Sequence, residues 1–167
     1  MEKPKPKGYS ALQIGLHWAV AGLIVIQFLA HDGIEHAWRA FDRSEPPAAD
    51  DLRWAYLHIA FGYTIFVLAL WRLWLRFTRG APALPENEPA ILKFVANATH
   101  VLIYVLIVGM PLSGGVAWFF GVGAAAAAHS LAKDALFVLV CLHIIGALAQ
   151  QFVFKTTVLA RMAIAED

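Results

Sequence analysis

From His129 to His143 the chain reads HSLAKDALFVLVCLH, an apolar stretch with a histidine at each end. Fourteen residues of helix rise about 21 Å and return to nearly the same face, about 40° apart. One metal ion cannot reach both rings, whereas two separate acceptors stacked along one helix can. The stretch leads into an apolar run over about residues 131–154, and three further runs cover about 11–31, 54–77 and 94–120. Each is long enough to cross a hydrocarbon layer of about 30 Å as a helix.

Composition sets the class. The 167 residues are 60% hydrophobic and 15% charged, with a mean hydropathy of +0.63. A soluble domain of this size needs more polar surface to cover itself. In lipid the backbone must bond within each segment, so the expected fold is all-α, an integral membrane four-helix bundle forming one domain over residues 1–167. An outer loop over 32–53, an inner loop over 78–93 and the short GVGAAAAAHS connection (121–130) complete the chain. The first run follows Lys3, Lys5 and Lys7 like a signal peptide. It is too long for one and has no small-residue cleavage site before His31, so it is read as a retained span. Cys141, the only cysteine, cannot form an intrachain disulfide.

Lysine and arginine set the orientation. One side would hold Lys3, Lys5, Lys7, Arg72, Arg76, Arg79, Lys93, Lys155 and Arg161, and the other Arg39, Arg43, Arg53 and Lys133. Nine against four puts both termini in the cytoplasm, with the protein multi-pass in the membrane. The outer loop is acidic, with Asp32, Glu35, Asp42, Glu45, Asp50 and Asp51, while Pro82, Pro85 and Pro89 punctuate the inner one. Trp54 and Trp118 outside, and Trp71 and Trp74 inside, form aromatic belts. Nothing in the pattern calls for a nucleic-acid partner.

Five of the seven histidines lie in or at the lip of spans, where an ionisable side chain is costly and functional by default. His58 and His129 share the outer depth, with His129 opening the fourth span; His17 and His143 share the inner one. Two facing imidazoles suit the axial positions of a heme iron, and a neutral ring bound to iron avoids the cost of a buried charge. Two heme b groups would then stand about 20 Å apart along the bundle. Tetrahedral zinc is excluded, since no intramembrane carboxylate or second cysteine converges with the histidines. Gly15, Gly62 and Gly146 lie near these rings and suit close approach of a macrocycle or of another helix. His31 and His36, in the outer loop, read as solvated.

The segments LQIGLHWAV, LHIAFGYTIFVLALWRLWLR, THVLIYVLIVGMPLSG and HSLAKDALFVLVCLHIIGALAQQFVFKTTVLARM resemble, in that order, the prokaryotic cytochrome b561 family. That family is related to the diheme cytochrome b subunits of formate dehydrogenases and Ni-Fe hydrogenases. The resemblance covers about residues 8–162 and implies a diheme cytochrome b with His17, His58, His129 and His143 as iron ligands. His100 shares a polar stripe with Asn97 and Tyr104. Three roles are open to it: a ligand in place of His143, a contact to a heme propionate or quinone, and plain interhelical bonding. Arg72, fourteen residues after His58, reaches the inner level and suits propionates. Arg76 reads as an anchor at the membrane edge.

A chain with no flavin or nucleotide motif must exchange electrons with an outside partner, and a membrane quinone, ubiquinone first, is the natural one. Where relatives carry a His-His pair this chain has Gln150 and Gln151, amides that bond a quinone carbonyl without taking up its proton. The resemblance implies superoxide oxidation outside coupled to quinone reduction inside; Arg53 and Lys133, close to the outer histidines, would supply the positive charge that steers the anion. The competing expectation is an electron-transfer subunit docking a periplasmic dehydrogenase or small cytochrome, which the acidic outer loop suits.

Overall fold

Ser10 starts the first helix. Its hydroxyl accepts from the backbone of Gln13 at 3.4 Å, and the Gln13 side chain accepts from the Ser10 backbone at 3.1 Å, a reciprocal cap. A computed structural model describes residues 6, 8–83 and 88–166 of the protein; Lys3, Lys5, Lys7 and Pro85 lie outside the described residues. From that cap follow α1 (Ala11–Leu29), α2 (Asp32–Asp42), α3 (Ala49–Thr78), α4 (Ala90–Phe120), α5 (Gly123–Phe152) and a 3-10 turn over Ala160–Met162, with no strand among the described residues. α1, α3, α4 and α5 are each long and apolar enough to cross a membrane. The all-α four-span reading holds.

Three boundaries differ from the sequence reading. The outer loop 32–53 contains α2, whose Ile34, Ala37, Trp38 and Phe41 fall at i, i+3, i+4 and i+7 to make one apolar face. Its 11 residues are too few for a span, so a search for spans passes over it. Gly33 seats α2 on α3 because a side chain there would run into Trp54. The helix α3 begins at Ala49, not 54, because Asp50 and Asp51 suit the positive end of its dipole. The alanine run read as a connection is the first turns of α5, as alanine has the highest helix propensity of all. Only Gly121 and Val122 link α4 to α5, and Gly121 takes the left-handed conformation at φ 66° that ends α4. His129 therefore sits nearly two turns inside α5 rather than at its lip.

Both chain ends meet at one end of the bundle, where the Glu166 N–H donates to the Tyr9 carbonyl at 3.1 Å. Packing joins α1 to α3, α2 to α3, α3 to α4 and α4 to α5. The buried cluster is small: Val20, Ile24, Ile65, Ala69, Ile107 and Leu136. It lies midway along the bundle, since Leu136 is seven residues from both His129 and His143, and Ile65 seven from His58. The outward faces, including Val25, Val67, Val101, Val105 and Ile145, are exposed and apolar, as lipid requires.

Candidate functional site: two facing histidine pairs

His58 on α3 and His129 on α5 face one another at the end away from the termini, with ring centroids 6.3 Å apart and planes at 65°. His17 on α1 and His143 on α5 do the same near the termini, at 6.2 Å and 57°. Two metal–nitrogen bonds of about 2.0 Å, with about 1.1 Å from each nitrogen to its ring centre, need about 6.2 Å between centroids. Each pair thus has the separation that leaves room for one iron between its rings.

The first pair is held from several sides. The His129 Nδ1–H donates to the Met110 carbonyl at 2.9 Å, with the Ser113 hydroxyl 3.5 Å from the same nitrogen. That bond fixes the tautomer and leaves Nε2 with the lone pair a metal needs. Gly114 makes room for the ring: a Cβ there would lie 3.0 Å from it. Gly115 does the same for the Tyr63 hydroxyl. The Gln27 amide donates to the His58 carbonyl at 2.9 Å, tying α1 to α3 at this level. His58 Nδ1 is buried with no hydrogen-bond partner among the described residues, so the protein alone leaves that ring unsatisfied.

Between these rings opens a cavity of about 600 Å³, within the range of cofactor pockets, about 300–1,000 Å³. Ile24, Gly62, Ile107, Gly114 and Leu136 wall it, and Ile34 and Trp38 of α2 reach its mouth. Arg39, Lys133, Glu35 and Asp42 supply its charged lining. The apolar walls, the missing side chains at Gly62 and Gly114 and the facing imidazoles fit a heme b.

At the terminal end, the His143 ring also packs edge-on against His100, at 5.1 Å and 71°. His17 packs against Trp18 at 5.2 Å, and the Trp18 indole N–H donates to the Met162 carbonyl at 2.8 Å. That bond ties the C-terminal segment to α1 beside His17. Arg72 donates from Nε to the Tyr104 hydroxyl at 3.3 Å, and its guanidinium lies 5.9 Å from that ring's centre. Gln150 binds Glu88, while Gln151 is half-buried beside it in sequence. A second cavity of about 510 Å³ at this end is lined by Arg76, Phe77, Lys93 and Asn97. Just ahead of α1, burial pushes the Tyr9 phenol pKa up, against the opposing charge of Arg76.

The remaining sequence candidates fall elsewhere. Lys133 lines the outer cavity and pairs with Asp134 at 3.6 Å. Arg53 is 67% exposed, pairs with Asp50 at 3.2 Å and is not among the cavity's lining residues. His31, read as solvated, is half-buried at the cavity mouth, with Nδ1 3.1 Å from the Phe28 carbonyl. The cause is α2, which folds the start of the loop back over the bundle. His36 is exposed, with Nδ1 3.4 Å from Asp51. A side chain at Gly15 or Gly146 would meet no atom within 4 Å, so neither serves helix packing. Met110, Gly114, Gly115, Arg39 and Glu88 escaped the sequence reading. Only the adjacent glycines Gly114 and Gly115, three and four residues past Pro111 in a helix, carried a readable signal.

A sequence model of the family described as prokaryotic cytochrome b561 matches residues 8–163. A protein of Cereibacter sphaeroides named cytochrome b562 is 36% identical over 155 residues, covering 93% of this chain and 94% of its own. A protein of Yersinia pestis named probable superoxide oxidase CybB is 26% identical over 178 residues, covering 93% of this chain and 96% of its own. With four spanning helices and residues that fit heme b, the chain belongs to the prokaryotic cytochrome b561 family, as a multi-pass membrane cytochrome b that carries electrons.

Proposed function

We propose that this protein oxidises superoxide at the end away from its termini and reduces ubiquinone at the terminal, cytoplasmic end. His58 and His129 hold the outer heme iron in this reading, and His17 and His143 the inner one. The matched ring separations, 6.3 Å and 6.2 Å at levels about 21 Å apart on α5, carry it. The relative named probable superoxide oxidase supports the choice of donor.

Two superoxide anions lose one electron each to give two dioxygen molecules, while one quinone gains both electrons and two protons to give quinol. Bound heme supplies reversible one-electron storage at each level. The chain's own groups do the rest. The Met110 carbonyl keeps His129 in one tautomer and one orientation. Val20, Ile24, Ile65, Ile107 and Leu136 keep water out of the layer between the histidine levels. Lys133 and Arg39 are the cations in the lining of the outer cavity, where Glu35 and Asp42 also stand, and it is they that attract an anion towards it. Their ion pairs with Asp134 and Glu35, at 3.6 Å and 3.3 Å, are exposed and weak, of the order of 0–1 kcal/mol, so an incoming anion competes for these cations. Arg53, bound to Asp50 off the cavity, contributes to steering only through the general field. At the inner end this reading assigns Arg72, bonded to Tyr104, and His100, packed on His143, to propionates or a quinone carbonyl, with Gln150 and Gln151 further along α5.

A second reading has its own observation. Asp32, Glu35 and Asp50 are 77%, 51% and 84% exposed at the outer end, a face that suits a basic periplasmic redox protein. Stopped-flow absorbance separates the two. Purified oxidised protein pulsed with superoxide is expected to gain a reduced b-type spectrum that ubiquinone then drains. A b-type spectrum indifferent to superoxide would reject the enzyme reading and favour a protein donor.

A further inference from the structure

Glu88 is the one acidic residue among the described residues with a buried carboxylate oxygen, Oε2, that lacks a hydrogen-bond partner. It stands just before Pro89, which caps α4, at the terminal end of the bundle. Its other oxygen, Oε1, accepts from the Gln150 side-chain amide. That amide is itself oriented, since the Thr156 hydroxyl donates to Gln150 Oε1 at 2.9 Å and turns the amide nitrogen towards Glu88. The backbone N–H of Thr156 adds a bond to the Gln150 carbonyl at 2.9 Å, so the chain past α5 is folded to hold this arrangement. Gln150 follows His143 by seven residues, which returns it to within about 20° of the same face, about 10 Å nearer the helix end. The carboxyl therefore lies beyond the inner histidine pair, on its side of α5, between that pair and the aqueous edge.

Protein polar groups buried at such a position are bonded as a rule, and each exception calls for a role. The Gln150 amide cannot take up or release a proton near neutral pH, and the Thr156 hydroxyl is engaged with Gln150 Oε1. A carboxyl can, and Oε2 is the atom left free to do it.

We propose that Glu88 is the proton donor to the bound quinone, with Gln150 and Thr156 as the residues that position it; this rests on the quinone-reducing reading above. As the quinone takes each electron delivered by the cytochrome, the O–H bond at Glu88 Oε2 breaks and an O–H bond to a quinone oxygen forms. The carboxylate left behind takes a proton from water at the cytoplasmic edge. Two such cycles give one quinol, with both electrons coming from the cytochrome and both protons from the cytoplasm.

The test uses full-length holoprotein reduced without oxygen and then mixed with a short-chain ubiquinone, following reoxidation of the b-type spectrum. Glu88→Gln keeps an acceptor for the Gln150 amide and removes only the proton. It is expected to slow maximal reoxidation at least tenfold, with little change in the quinone concentration for half-maximal rate and no change in the reduced spectrum. Glu88→Asp, which restores a carboxyl, is expected to recover part of the rate. A Glu88→Gln protein as fast as wild type overturns the proposal while leaving the quinone reading intact. Wild-type protein that quinone does not reoxidise overturns the quinone reading, and this proposal with it. If Glu88→Gln fails to assemble its heme, labelling of the wild-type protein with dicyclohexylcarbodiimide, which attacks protonated carboxyls in apolar surroundings, decides the matter. Labelling of Glu88 that slows reoxidation, with quinone protecting, supports the role; absence of label, or label without slowing, overturns it.

Discussion

The two ends of this bundle share one geometry and differ in almost everything around it. Both present a histidine pair with centroids 6.2–6.3 Å apart, yet the outer pair opens into an apolar cavity of about 600 Å³. The inner pair is crowded by a third imidazole at 5.1 Å and flanked by Trp18, which is bonded to the C-terminal segment. Outside, one ring is fixed by a backbone carbonyl and seated on glycine; inside, the surroundings are side chains that donate, accept and carry protons. In the function proposed above, the shared spacing would answer to the metal, and the contrast to what each end exchanges: an electron alone at one, electrons with protons at the other.

The largest expected effect comes from removing one partner of a pair. His58→Ala or His129→Ala should abolish the outer heme and leave the inner, while His17→Ala or His143→Ala should do the reverse. Heme content per chain, by pyridine hemochrome, should fall by about half in each case. Loss of both hemes in every variant would mean that the two ends do not assemble independently.

A smaller effect, confined to one end, should come from Gly114→Val. The added methyls press on the His129 ring, where a bare Cβ would already stand at 3.0 Å. Overpacking of this kind costs about 1–3 kcal/mol. A redox titration should show the outer component shifted or lost and the inner one unmoved. Equal disturbance of both components would contradict the seating of the outer ring on this glycine.

Steering should move rates by less again. Lys133→Gln should lower the rate of reduction by superoxide several-fold and flatten its dependence on salt. Arg53→Gln, off the cavity and already paired with Asp50, should change it less than twofold. A reversed order would return the steering role to Arg53. His100→Ala should keep both hemes and change only the inner component's potential or its reoxidation by quinone, as it is His143 whose ring stands 6.2 Å from that of His17, the separation one iron needs. Loss of a heme in that variant would make His100 a ligand.

Much of this contrast is legible in the sequence, but unevenly. Hydropathy and length give the four spans, and the fourteen-residue interval between His129 and His143 gives two levels, because helix geometry converts spacing directly into depth. What goes unread depends on contacts between distant segments. The apolar face of α2 has a helical period but is too short to register as a span, and its docking depends on Gly33 meeting Trp54. The alanines 124–128 look like a featureless connection by hydropathy, yet they are the strongest local helix formers in the chain. The Met110 carbonyl cannot be read at all, since every residue has one. Glu88 reads as one more charge in a proline-rich turn until the end of α5 brings Gln150 against it.

The most direct test of the account is the heme stoichiometry of the purified wild-type chain together with its potentiometric titration. The account expects two heme b per chain and two low-spin components, one removed by His58→Ala and the other by His143→Ala. One heme per chain, or a single component indifferent to either substitution, would contradict it.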